Sequence, residues 1–239
     1  GIGDTTYTVI RQALAGEVPE YLAKLRETSA VAAHSELRAK LKGDLHAHSE
    51  WSDGTTPIEL MVDSARRLGH EYLAITDHSP RLTIARGLSV ERLQEQIGVV
   101  AAFRDDGFTL LTGIECDINE DGTLDQTDEM LSALDVRVAS VHSKLAMDKD
   151  AMTRRMVNAV ANPFTNVLGH CTGRLVTGNR GIRAQSQFDA RRVFEACAEH
   201  DVAVEINSRP ERRDPPTRLL QLAIDAGCLF AIDPSAHAP

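Results

Sequence analysis

Gly43-Asp44-Leu45-His46-Ala47-His48-Ser49-Glu50-Trp51-Ser52-Asp53-Gly54 ends a short apolar run with two histidines one residue apart and a carboxylate turn. In a β-strand, residues i and i+2 point to the same side, so His46 and His48 can present two ring nitrogens to one ion. The Asp53-Gly54 turn can fold a carboxylate back over that strand end. A lone His-x-His is more often structural than ligating. Here it is echoed by Ile75-Thr76-Asp77-His78, Gly113-Ile114-Glu115, Ser140-Val141-His142, Leu168-Gly169-His170 and Ala236-His237. Six of the nine histidines stand where an apolar run stops; His34, His70 and His200 fall in helical stretches and read as structural or solvated. Imidazoles and carboxylates at successive strand ends point to one polynuclear metal site, and neutral imidazole with carboxylate suits Zn, Mn or Fe.

That constellation decides the architecture. β-like apolar segments lie near 44–47, 71–76, 109–115, 135–141, 166–169, 202–206 and 228–232. Between them, helical periodicity covers 57–68, 89–103, 150–161, 189–200 and 216–226, with at most a brief helix at 128–134. Such alternation predicts a parallel sheet, but an open doubly wound sheet and a closed barrel fit it equally well. In a barrel all strand C-termini meet at one face, where ligands from every strand end can converge. An open sheet would spread them along an edge. The expectation is therefore an α/β distorted barrel of seven strands over residues 43–239. Residues 1–42 form a helical lead-in, with helices over 19–28 and 31–41. The opening Gly1-Ile2-Gly3 is a turn whose backbone N–H groups could receive a phosphate.

A chain of 239 residues with 42% apolar content can bury one large core. Its apolar runs are too short for a bilayer, and no basic-plus-apolar leader opens it. The cysteines Cys116, Cys171, Cys197 and Cys228 are scattered and read as reduced thiols, so a cytoplasmic location is expected. A net charge of −9 argues against a Lys/Arg coat for tight DNA binding. Two or three divalent cations would cancel roughly half of that deficit locally. Lys144, Arg174, Arg209 and Arg213 follow strands four, five and six, and their cationic groups suit a phosphoester. Arg209 is the foremost of them. No Ser or Cys nucleophile stands in a triad setting.

Taken together, the His-x-His, Ser-Asp-Gly, Thr-Asp-His, Gly-x-Glu, Ser-Val-His and Gly-His segments resemble the PHP (polymerase and histidinol phosphatase) superfamily over residues 43–239. The resemblance implies a distorted (β/α)7 TIM-like barrel of the PHP type, with two or three divalent metals activating water for phosphoester hydrolysis. It assigns His46, His48 and Glu115 to a first metal and has Glu115 bridge to a second held by His142 and His170. Asp53, His78 and His237 are left for a third. Glu115 and His142 thus sit at the catalytic centre, and Asp77 is expected to orient a ligand histidine.

Within the superfamily, Thr76-Asp77-His78-Ser79-Pro80, Asp117-Ile118-Asn119-Glu120-Asp121-Gly122-Thr123-Leu124-Asp125 and Ala203-Val204-Glu205-Ile206-Asn207 are most similar to the PHP region of bacterial family X DNA polymerases. Gly1-Ile2-Gly3 then resembles a fragment of their helix-hairpin-helix. This implies DNA ends as substrate, by 3′–5′ exonuclease or 3′-phosphatase action in DNA repair. The alternative is a small phosphomonoester such as histidinol phosphate. One departure stands out: Ser235 occupies the place of the family's usual Asp in an Asp-x-His ending. A hydroxyl is a poorer ligand for a hard cation than a carboxylate, which keeps a catalytically impaired binding module as a third reading.

Overall fold

The computed structural model describes residues 3–24, 36–103, 107–178 and 181–238. The chain divides into two compact units, Gly1–Lys42 and Gly43–Pro239. In the first, α1 (Asp4–Leu14) carries Tyr7, Ile10 and Leu14 on exposed positions, and residues 20–24 are helical. Gly1 and Ile2, and residues 25–35 of the expected helices, lie outside the described residues.

The second unit alternates strand and helix throughout. Its order is β1 (Gly43–Ala47), α2 (Ile58–Arg67), β2 (Tyr72–Ile75), α3 (Val90–Ala102), β3 (Thr109–Asp117), α4 (Asp128–Ser132), β4 (Val136–Ser140), α5 (Lys149–Val160), β5 (Val167–Leu168), α6 (Ala190–Glu199), β6 (Ala203–Asn207), α7 (Thr217–Asp225) and β7 (Phe230–Asp233). All neighbouring strands pair in parallel, in chain order from β1 to β7. Helix boundaries follow local chemistry. Pro57 opens α2, whose Ile58, Met61, Val62 and Ala65 form one buried stripe, and Gly69 just past its end adopts φ +81. The Ser89 side chain caps α3 through the Arg92 N–H, and Asp148 caps α5 through those of Asp150 and Ala151.

Closure joins β7 to β1. Ala47 and Ala236 form a parallel bridge, the His48 N–H donates to Ala236 O at 2.7 Å, and the Leu45 N–H donates to Asp233 Oδ1 at 2.8 Å. The result is a seven-stranded α/β barrel, distorted by a register shift between Asp44 and Ala47. Strand β5 is shorter than the expected 166–169, although the Asn166 and Gly169 N–H groups still donate to Arg137 O and Ala139 O; just beyond it the His170 N–H donates to a carboxylate oxygen of Glu205 at 2.5 Å. At Gly169 the chain runs so close to β4 that a Cβ would stand 2.2 Å from Ser140 Oγ.

Candidate metal centre

Every strand end predicted to carry a ligand delivers it to one rim. Glu115, on β3 and only 1% exposed, is the hub. One oxygen, Oε2, faces His46 Nε2 at 3.3 Å, His48 Nε2 at 3.5 Å and His78 Nδ1 at 3.0 Å. The other, Oε1, faces His142 Nε2 at 3.2 Å and His170 Nε2 at 2.9 Å. Beside this cluster, Asp53 Oδ1 lies 3.5 Å from His78 Nε2, 3.3 Å from His237 Nε2 and 4.0 Å from His48 Nδ1. Potential ligand atoms of His48, Asp53, His78 and His237 fall within 4.8 Å of one another, as do those of His46, His48 and Glu115 and of His78, Glu115 and His142.

The donor set fits divalent cations. Both Glu115 oxygens, Asp53 Oδ1, His48 Nδ1, His78 Nδ1 and His142 Nε2 are buried without a hydrogen-bond partner. Unpaired buried polar atoms are costly, and so many aimed at one another form a donor set that cations would satisfy. Burial opposes charge on Glu115, yet His46, His142 and His78 hold its carboxyl well below the ordinary range. Burial likewise opposes charge on His46, but Glu115 and Glu205 raise it well above its usual value. Burial and the neighbouring His78 push His48 well down, and burial with the Arg212 guanidinium lowers His170 to about 4. Both therefore stay neutral, the form in which imidazole ligates.

Two outer partners orient these rings. Glu205 Oε1 lies 2.5 Å from His46 Nδ1, which turns Nε2 toward Glu115. Asp117 Oδ1 holds the backbone beside the cluster instead, accepting the His142 backbone N–H at 3.2 Å while standing 3.6 Å from Nδ1, beyond hydrogen-bond reach. His237 Nδ1 meets the Ser235 carbonyl at 2.8 Å, leaving Nε2 for Asp53.

Sequence reasoning missed Glu205 and Asp117 in these roles, although a carboxylate inside the apolar run 202–206 and one two residues after Glu115 were available signals. Asp77, expected to orient a ligand histidine, has other partners. It accepts from the Ser49 N–H and hydroxyl, the Ser52 hydroxyl and the Gln96 amide, so it pins the loop that joins His48 to Asp53. Asp233 does not stand in for the ligand replaced by Ser235. It points into the barrel toward Leu45, and burial with the nearby Glu205 raises it to about 6. Ser235 itself lines the cavity over the cluster, in a left-handed backbone conformation with φ 48°.

That cavity has a volume of about 720 Å³. Arg209 lines it as anticipated, but Lys144 and Arg174 do not. The Arg174 guanidinium is spent on the backbone carbonyls of Arg212 and Arg213, bracing the loop that carries Arg209. In their place stand Arg183 and Arg212, for which the sequence offered no signal. Arg212 Nη1 is buried and unpartnered.

Comparison with known proteins agrees with this arrangement. The family model of the PHP domain matches residues 44–209. The chain is 37% identical over 200 residues to the DNA polymerase/3′-5′ exonuclease PolX of Bacillus subtilis, covering 83% of this chain but only 34% of that protein. It is 29% identical over 206 residues to the probable phosphatase YcdX of Escherichia coli, covering 82% of this chain and 78% of that relative. Among solved structures, the histidinol phosphate phosphatase of Lactococcus lactis, complexed with zinc, L-histidinol and phosphate, superposes with a TM-score of 0.59 at 20% identity. That match covers 82% of this chain and 86% of the other. Barrel topology, the convergence of strand-end histidines on Glu115 and a family match over most of residues 43–239 lead to one assignment: this chain belongs to the PHP domain family.

Proposed function

We propose that this chain is a metal-dependent phosphoesterase acting at DNA ends, by 3′–5′ exonuclease or 3′-phosphatase action. The observation that carries the reading is the convergence of six histidines around the two oxygens of Glu115 and the Asp53 carboxylate. His46, His48 and Glu115 would hold one cation, and Glu115, His142 and His170 a second. Asp53, His78 and His237 would hold a third. Bound there, two or three divalent ions of the Zn, Mn or Fe type would lower the pKa of water and neutralise charge on phosphoryl oxygens.

The protein's own contribution is positional and electrostatic. Glu205 aims His46 at the cluster, and Asp117 holds the backbone N–H of His142. Arg212, with an unpaired Nη1, and Arg209 line the same cavity and suit the non-reacting oxygens of a phosphoester. The DNA reading is supported by the 37% identity to a relative named as a 3′-5′ exonuclease, of which this chain spans about a third. The acidic net charge of −9 favours the second reading, a small-molecule phosphatase of the histidinol-phosphate kind.

One comparison decides between them. Purified chain loaded with manganese or zinc is incubated with a 3′-phosphorylated oligonucleotide, with its 3′-hydroxyl counterpart and with histidinol phosphate. Release of phosphate or nucleotides from the oligonucleotides is the expected outcome. Turnover of histidinol phosphate alone overturns the DNA reading. Fewer than one bound metal per chain by elemental analysis, with no turnover of any substrate, overturns the enzyme reading in favour of a binding module.

A further inference from the structure

Residues 79–88, between β2 and α3, hold an apolar side chain in the open beside the metal centre. Ile84 is 93% exposed, yet it lines the cavity together with Leu82. Its loop is rigidly anchored. Arg86 donates from Nε to Ser52 O at 2.7 Å and from Nη2 to the carbonyls of Glu50 and Ser52. The Leu88 N–H donates to His78 O at 2.7 Å, Ser79 Oγ to Asp125 Oδ1 at 2.6 Å and the Arg81 N–H to Asp125 Oδ2 at 2.9 Å. The turn closes so tightly that a Cβ on Gly87 would meet Ser79 O at 1.9 Å. An isoleucine displayed on so fixed a loop keeps its apolar surface in water at a cost that a bound apolar face would remove.

Leu175, Arg209 and Arg212 line the same cavity. A cavity of about 720 Å³ is far larger than a lone phosphate fills, and falls in the range of pockets that bury a drug-sized ligand. Its lining offers anion-binding groups and apolar faces together, which is the chemistry of a nucleotide.

We propose that Leu82 and Ile84 form an apolar shelf for the base of the terminal DNA nucleotide, placing its 3′-phosphoester over the Glu115 cluster. This deepens the DNA-end reading and rests on it. The shelf makes the enzyme sense the terminal base without reading its hydrogen-bonding edge, so all four bases are accepted and an abasic end is poorly held.

The test compares two 3′-phosphorylated oligonucleotides, identical except that one ends in an abasic tetrahydrofuran residue. The metal-loaded wild-type chain is expected to favour the base-bearing end about tenfold in kcat/KM, the scale set by burying a few methylene equivalents in a pocket. Ile84→Ala, a change on an exposed side chain, brings the ratio toward one, mainly through KM on the base-bearing end. A wild-type ratio near one overturns the shelf while leaving DNA-end hydrolysis standing. So does an unchanged preference in Ile84→Ala. Failure of the wild type to release phosphate or nucleotides from either end overturns the DNA-end reading itself, and the shelf falls with it.

Discussion

Single side chains decide how well the cluster is built. Glu205 touches His46 across 159 residues of sequence, and Asp117 reaches His142 across 25. Outer carboxylates of this kind hold a ligand ring in one tautomer and orientation. Glu205→Gln is expected to weaken metal affinity about 10–100-fold, read by competition with a chromophoric chelator, and Asp117→Asn, which loses only a backbone contact, less than that. Asp77→Asn should act differently, because Asp77 binds Ser49, Ser52 and Gln96 and not a ring. Its cost should appear as lost folding stability. The candidate ligand histidines were legible because each stands where an apolar run stops. Their outer partners were not, since nothing local ties Glu205 to His46.

Helices and strands were legible almost to their ends, because period, caps and turn glycines are local properties. There were two exceptions: β5 is shorter than expected, and the described part of the helix expected over 31–41 holds only a 3₁₀ turn, Arg38–Lys40. Helix α5 holds a tertiary surprise. Arg155 is only 1% exposed and donates to Ile118 O at 3.1 Å, Asn119 O at 3.0 Å and Ser143 O at 2.9 Å. It thereby clamps the chain leaving β3 to the chain leaving β4, just beyond Glu115 and His142. In sequence it is one charge in an amphipathic helix. Arg155→Met leaves those carbonyls without their donor and is expected to cost about 2–4 kcal/mol in urea unfolding. Loss of less than about 0.5 kcal/mol would show the clamp to be idle.

Across the whole barrel, the cluster couples metal, protons and folding. Burial opposes charge on His142, but Glu115 and Asp117 raise the metal-free protein's His142 from an ordinary 6.5 to about 9. The stability this proton contributes is fully present below pH 6.5 and is lost as pH rises through about 9. A cation must displace it, so affinity should rise over the same window by up to about tenfold per pH unit per proton released. Calorimetry of chelated protein should show the melting temperature falling from pH 6.5 to 9. Loaded protein should melt higher throughout, by about 2.7 kcal/mol of added stability at a hundredfold excess of metal over Kd. A metal affinity flat across that window would falsify the coupling.

Among the described residues no helix is long and apolar enough to cross a membrane, and the four cysteines are buried and unpaired. The amino-acid order alone determined seven strands alternating with helices and the ligand-type residues at the strand ends, because hydrophobic period and strand termini are encoded within a few residues. Only the tertiary structure decided which carboxylate orients which ring, that Arg183 and Arg212 take the places expected for Lys144 and Arg174, and that Asp77 secures a loop. Those outcomes depend on distances between segments far apart in sequence, set by barrel closure and by loops whose paths no local pattern records.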